Sequence, residues 1–223
     1  MQFPNAAKGV KKIYISTVLE VLAVGLTGLS TILIAFYGFG LGADTAETAI
    51  ASALVMAPGA VFAGIASTLG SIVLIVAIVF NLMGIVQASK DEEMFKTALY
   101  LILLGLGVGV VNAFFSNNEL STLFQIASDI VSLMVSVMIV NGISHLAELN
   151  RNIEVQERGQ AVIRLMVLTL GVSVIIKIAM MLVGGLFTGL IGLMLVLAMV
   201  GLHIVYVIMY LVFLNRANRM LTE

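Results

Sequence analysis

Residues 161–214 read AVIRLMVLTLGVSVIIKIAMMLVGGLFTGLIGLMLVLAMVGLHIVYVIMYLVFL, and beyond the first turn only Lys177 is charged. As one helix this stretch would be ~80 Å long at about 1.5 Å per residue. The hydrocarbon core of a bilayer is about 30 Å thick. The chain must therefore turn within it, and the glycines at Gly184, Gly185 and Gly189 mark the place. Two apolar helices of spanning length result.

Working back from there, four more stretches of the same kind occupy residues 13–37, 59–86, 96–115 and 122–145. Apolar residues make up 61% of the 223, and charged residues only 10%. Soluble domains carry about 25% charged residues, so this chain cannot coat itself with solvated groups. Mean hydropathy of +1.17 says the same. Six spans with short connections use nearly the whole chain, leaving no room for a separate soluble domain. The expectation is an all-α, polytopic integral membrane helix bundle, residues 1–223 forming a single transmembrane domain. The first stretch exceeds a signal-peptide core of about 7–15 residues and is taken as a retained span.

The lysines and arginines orient the spans. Lys8, Lys11, Lys12, Lys90, Lys96, Arg151, Arg158, Arg164, Arg216 and Arg219 all fall on one side of a six-span layout. The opposite connections hold Asp44, Glu47 and Glu119 and no basic residue. By the positive-inside rule the basic side is cytoplasmic. That predicts three hairpins, both termini inside, in the plasma or inner cell membrane.

Two segments depart from plain hairpins. Residues 47–86 would make a ~60 Å helix with Pro58-Gly59 in its middle, and Asp44 and Glu47 resemble a capping box. A short outer helix over residues 45–56, broken at Pro58, is expected. In the second segment, Leu146, Leu149 and Ile153 form one helical stripe with Glu148, Arg151 and Glu154 between them. Span four is expected to continue as an amphipathic helix ending near Gly159. A weak repeat also runs through the hairpins: Leu149-Asn150-Arg151 matches Leu214-Asn215-Arg216, and Gly84-Ile85 matches Gly142-Ile143.

Ionisable groups within spans are costly and mark function by default. Glu20, Asp129, Lys177 and His203 are the candidates for a substrate or ion pathway. Asp129 and Lys177 each lie about eight residues, ~12 Å, from the outer surface, so opposite charges at equal depth are expected to pair. Glu20 lies ~10–12 Å from the inner surface, with His203 deeper and reaching toward it. Each sits on a polar stripe: Ser16, Glu20, Thr27 and Thr31; Gln125, Asp129, Ser132 and Ser136; Thr169, Ser173 and Lys177; His203, Tyr206 and Tyr210. These stripes are expected to face the bundle interior, as interhelical glue or as a solvated path.

Small residues favour close helix packing. They are Gly105 and Gly109 in span three, and Gly59, Ala60, Ala63, Gly64, Ser67, Gly70 and Ser71 in span two.

Other classes find little support. Net charge of −1 argues against nucleic acid, and zero cysteines offer no disulfide or thiolate metal site. Catalytic motifs such as H-E-x-x-H or G-x-S-x-G are missing from the sequence. Glu92-Glu93, beside Lys90 and Asp91, reads as a solvated charge cluster. No enzyme, cofactor or metal is expected. In size and topology the plan is similar to several small-transporter families, including the substrate-binding components of energy-coupling importers, with no motif to carry a residue across. The expected function is a small-solute or ion transporter or channel component. Its partners would be the bilayer, a small solute, ion or proton, and another copy or membrane subunit. The alternative is a non-transporting accessory, assembly or immunity protein whose buried charges are structural.

Overall fold

A computed structural model of the chain describes residues 3–39, 46–114, 119–183 and 190–222, with side chains described over 3–31, 62–111, 123–176, 178, 194–195 and 197–222. Six helices follow one another: α1 (Pro4–Phe39), α2 (Ala46–Ala88), α3 (Glu93–Phe114), α4 (Glu119–Leu149), α5 (Ile153–Val183) and α6 (Leu190–Thr222). All six are long and apolar enough to cross a membrane. The last apolar stretch is indeed two helices, α5 and α6. Asp44 and the glycines at 184, 185 and 189 lie outside the described residues.

α2 corrects one expectation. It runs unbroken from Ala46 through Pro58 to Ala88, so among the described residues no separate helix stands before span two. A proline removes one backbone donor, and transmembrane helices tolerate it where local adjustment re-satisfies the freed carbonyl. Length and apolarity outweighed one missing hydrogen bond.

α4 corrects another. It stops at Leu149 instead of continuing to Gly159, and α5 starts at Ile153. The Arg151 amide donates to the Glu148 carbonyl at 2.9 Å, and the Asn152 amide to the Ala147 carbonyl at 2.8 Å. This is the Schellman pattern, with Arg151 in the left-handed region at φ 55°. Asn152 then caps α5, its Oδ1 accepting from the Val155 amide at 3.1 Å. Leu146 is buried, while Leu149 and Ile153 are exposed on either side of the turn, so the supposed stripe is not one surface. Gly159 sits inside α5, where a Cβ would run into the Ser144 hydroxyl and the Phe213 ring.

The described residues fall into two compact units. The smaller, Tyr14–Asn81, holds parts of α1 and α2. Buried Ser16, Ala23 and Ser30 recur every seventh residue on α1, and buried Ala63, Gly70 and Ala77 every seventh on α2. A Cβ on Gly70 would lie 3.2 Å from the Ala23 carbonyl oxygen. That contact, together with the hydrogen bond between Glu20 and Asn81, runs α2 antiparallel to α1 in this unit. A strict seven-residue repeat keeps the seam facing its partner along a left-handed supercoil. Small side chains let the backbones approach, which maximises dispersion contact where lipid removes the hydrophobic drive. Phe62, Ile65, Ile72 and Ile75 point away from the seam and are exposed.

The larger unit joins Met1–Ile13 to Leu82–Glu223. There α3 packs on α4, α4 on α5, and α5 on α6, with a lesser contact between α4 and α6. Its buried core draws on Val10 and Ile13 of α1, Ile85 of α2, Phe95 of α3, Ile143 and Leu146 of α4, Val162 of α5, and Phe213 and Leu214 of α6. These residues lie at the helix ends that bear the ten basic residues. Gly9 and Gly84 cross there with backbones touching: a Cβ on Gly84 would lie 2.7 Å from the Gly9 carbonyl oxygen. Gly142 likewise makes room for the Phe95 ring. The matched Gly84-Ile85 and Gly142-Ile143 pairs thus both place a packing glycine beside a buried isoleucine. The other match fails, because Leu149 is exposed at a helix end while Leu214 is buried within α6.

Asp91 starts α1 from a distance. Its carboxylate accepts from the backbone amides of Asn5 and Ala6, both at 2.8 Å, and from the Asn5 side-chain amide at 2.9 Å. The first amides of a helix have no internal partner, and a carboxylate there also meets the positive end of the helix dipole. Pro4 at the first helical position gives up no donor. Asp91→Ala is expected to cost roughly 1–2 kcal/mol, read as a lower melting temperature in detergent and faster hydrogen exchange at Asn5 and Ala6.

Candidate functional site

Glu20 is the sequence-predicted residue with the best-defined surroundings. It lies half-buried on α1, in the smaller unit. The Ser16 hydroxyl, one helical turn earlier and 0% exposed, donates to its Oε1 at 3.2 Å. The Asn81 side chain also hydrogen-bonds the carboxylate. Asn81 lies on α2, which packs against α1 along the small-residue seam, and so reaches Glu20 from the facing helix. Residues 14–81 contain no lysine, arginine or histidine, so the unit supplies the carboxylate no cation. Asn81 was missed in the sequence, although a lone amide in a run of apolar residues was the available signal.

Asp129 is half-buried on α4 in the larger unit. Lys177 lies on α5, which packs against α4, but its side chain is outside the described residues, and so is the expected pair. His203 is exposed on α6. Its ring stands edge-on to Tyr206, centroids 5.6 Å apart, and Tyr206 stacks on buried Tyr210 at 6.0 Å. Glu20 and His203 belong to different units.

The polar stripes behave differently from expectation. Thr31, Gln125, Ser132 and His203 are exposed on this chain. The Thr27 hydroxyl donates to the Ala23 carbonyl, Thr31 to Thr27, Ser136 to Ser132, and Thr169 to Leu165. Each bond closes four residues back on the same helix, which is how a hydroxyl finds an acceptor without leaving its own turn. These hydroxyls therefore have no need of an interior position. The small residues divide as well. Gly105 packs against Val131, while a Cβ on Gly64, Gly107 or Gly109 would meet no neighbour within 4 Å.

At the basic end the charges are organised. The expected solvated cluster at Asp91, Glu92 and Glu93 is corrected on two of three residues. Asp91 caps α1. Glu92, 10% exposed, meets the His145 Nδ1 at 2.7 Å and accepts from the Met94 amide at 3.4 Å. Only Glu93 stands out in solvent, 3.7 Å from Lys96. Glu154 bridges Arg158 and Arg216, tying the start of α5 to α6. Backbone amides left free at helix starts recruit neighbouring carboxylates that solvent would otherwise hold.

Among the described residues no group of three or more His, Asp or Glu side chains is placed to hold a metal. Comparison with protein-family models, with curated proteins and with solved structures returns no match.

Proposed function

We propose that this multi-pass membrane protein is a small-solute or ion transporter or channel component, with its basic end in the cytoplasm. The spans pair as three antiparallel hairpins in the cell membrane, both termini inside. The observation that carries the transport reading is the Glu20 cluster. A carboxylate held within an apolar span by a buried hydroxyl and an amide, with no cation in its unit, is an expensive arrangement. Helix glue would be achieved more cheaply by uncharged contacts, as where Gly70 packs against Ala23 and Thr27.

The test is ion flux in liposomes. The wild-type protein is expected to conduct or exchange ions above the level of protein-free liposomes, and folded Glu20→Gln to fall to that level. Equal flux from wild type and Glu20→Gln would sink the reading. The alternative is an accessory or assembly protein, which the tight glycine crossing of Gly9 and Gly84 also suits. A wild-type protein that folds and moves no ion supports that alternative.

Orientation has its own test. The natural sequence has no cysteine, so single cysteines report without background. Those at Ser89 and Asn152 are expected to label only from the cytoplasm. One at Asn118, outside the described residues, is expected to label only from the other face. Labelling of Ser89 and Asn118 from the same face refutes the hairpins.

A further inference from the structure

We propose that Glu20, Ser16 and Asn81 form a reversible proton-binding site within the membrane span. The proton is then the ion of the transport proposed above, and that second statement rests on the transport reading.

The chemistry of the two partners carries the site. The Ser16 hydroxyl lies 3.2 Å from Glu20 Oε1, and the Asn81 side chain hydrogen-bonds the same carboxylate. A lysine or arginine partner only donates, so it holds a carboxylate in its charged form. Serine and asparagine do both. When Glu20 is charged, the Ser16 O–H and the Asn81 N–H donate to it. When Glu20 is protonated, its own O–H donates to the Ser16 oxygen or to the Asn81 amide oxygen once the amide turns over. Both protonation states are satisfied without moving a helix. That matters in an apolar span, where an unsatisfied polar group costs several kcal/mol.

Competing charges are scarce. On α1 and α2 within this unit, Tyr14 is the other titratable group among the described side chains. It precedes Glu20 by six residues, about 240° around the helix, and so occupies another face. No basic residue occurs between residues 14 and 81. The ligand count favours a proton over a metal cation. Hard cations take about six or more oxygen ligands, and the cluster offers one carboxylate, one hydroxyl and one amide oxygen. A proton needs one oxygen to hold it and one to accept its hydrogen bond.

The experiment uses the full-length protein in liposomes and dicyclohexylcarbodiimide, an apolar reagent that modifies protonated carboxyls. Mass spectrometry of the peptide containing Glu20 reads the modification across a pH series. Modification at Glu20 is expected to be greatest at low pH and to fall about tenfold per pH unit above its midpoint. Asn81→Leu removes a donor to the charged form and is expected to move the midpoint up by about one pH unit. Added sodium at constant pH is expected to change nothing. Glu20 left unmodified, or modified equally at every pH, overturns the proposal. Protection by sodium overturns it too, by assigning a metal cation. Because labelling needs no flux, the two proposals fail separately. A titrating Glu20 in a protein that moves no ion rejects transport alone. Flux with a Glu20 that does not titrate rejects the proton site alone.

Discussion

Gly84→Ala is expected to destabilise the protein by about 3 kcal/mol, the upper range for forcing one methyl group into a packed interface. The new Cβ would lie 2.7 Å from the Gly9 carbonyl oxygen, 2.8 Å from Ile13 Cγ1 and 3.1 Å from the Ile13 amide nitrogen. Two of those neighbours are backbone atoms, which cannot rotate aside. The helices must separate, and the dispersion contacts of Val10, Ile13 and Ile85 go with them. Gly9→Ala should be as severe, its Cβ falling 2.5 Å from the Gly84 carbonyl oxygen and 2.7 Å from the Ala88 amide nitrogen. Gly107→Ala and Gly109→Ala are the controls. A Cβ on either would meet no neighbouring helix within 4 Å, and alanine is the better helix former by about 0.5–1 kcal/mol. Unfolding by titration with a denaturing detergent ranks the four variants. Equal stability for Gly84→Ala and Gly109→Ala would remove the crossing from the fold.

That contrast also shows which parts of the fold could be read in advance. Six apolar helices were legible because span length is set by bilayer thickness and needs no tertiary information. The glycines were harder. The G-x-x-x-G at Gly105 and Gly109 drew attention as a local motif, yet only Gly105 meets a neighbour, Val131. Within the smaller unit the seam repeats every seven residues: Ser16, Ala23 and Ser30 on α1, and Ala63, Gly70 and Ala77 on α2. Search at a spacing of four hides a repeat at seven, because only the seven-residue period tracks a supercoiled seam. Helix ends failed for a different reason. Arg151 in the left-handed region and Asp91 capping α1 across 86 residues of sequence are tertiary choices that no local propensity announces. Pro58 shows the converse, a strong local signal overridden by length and apolarity.

The site was legible at the level of single residues and not of constellations. A carboxylate in an apolar run is conspicuous, so Glu20 stood out. Its partner Asn81 lies 61 residues away and is uncharged, so only the packing of α2 against α1 brings it forward. Polar stripes misled because a hydroxyl in a helix has an acceptor four residues back, and its spacing along the sequence says nothing about which way it faces.

Asp129→Asn alone is expected to destabilise the protein by about 3–5 kcal/mol, the usual cost of stranding one charge of a buried pair. The motive is the similar depth expected of Asp129 and Lys177 from the sequence, together with the packing of α4 on α5. In a low-dielectric span an unpaired ammonium cannot regain its hydration, so loss of the carboxylate harms the lysine that remains. Replacing both charges removes that penalty. Asp129→Leu with Lys177→Met is therefore expected to fold close to wild type, the large single-mutant loss and small double-mutant loss giving a coupling energy well outside additivity. If the single and double variants are equally unstable, the two residues are not partners. Activity then separates two roles that stability alone does not. Restored folding with restored ion flux makes the pair structural, whereas restored folding with flux still absent places Asp129 and Lys177 on the ion's route.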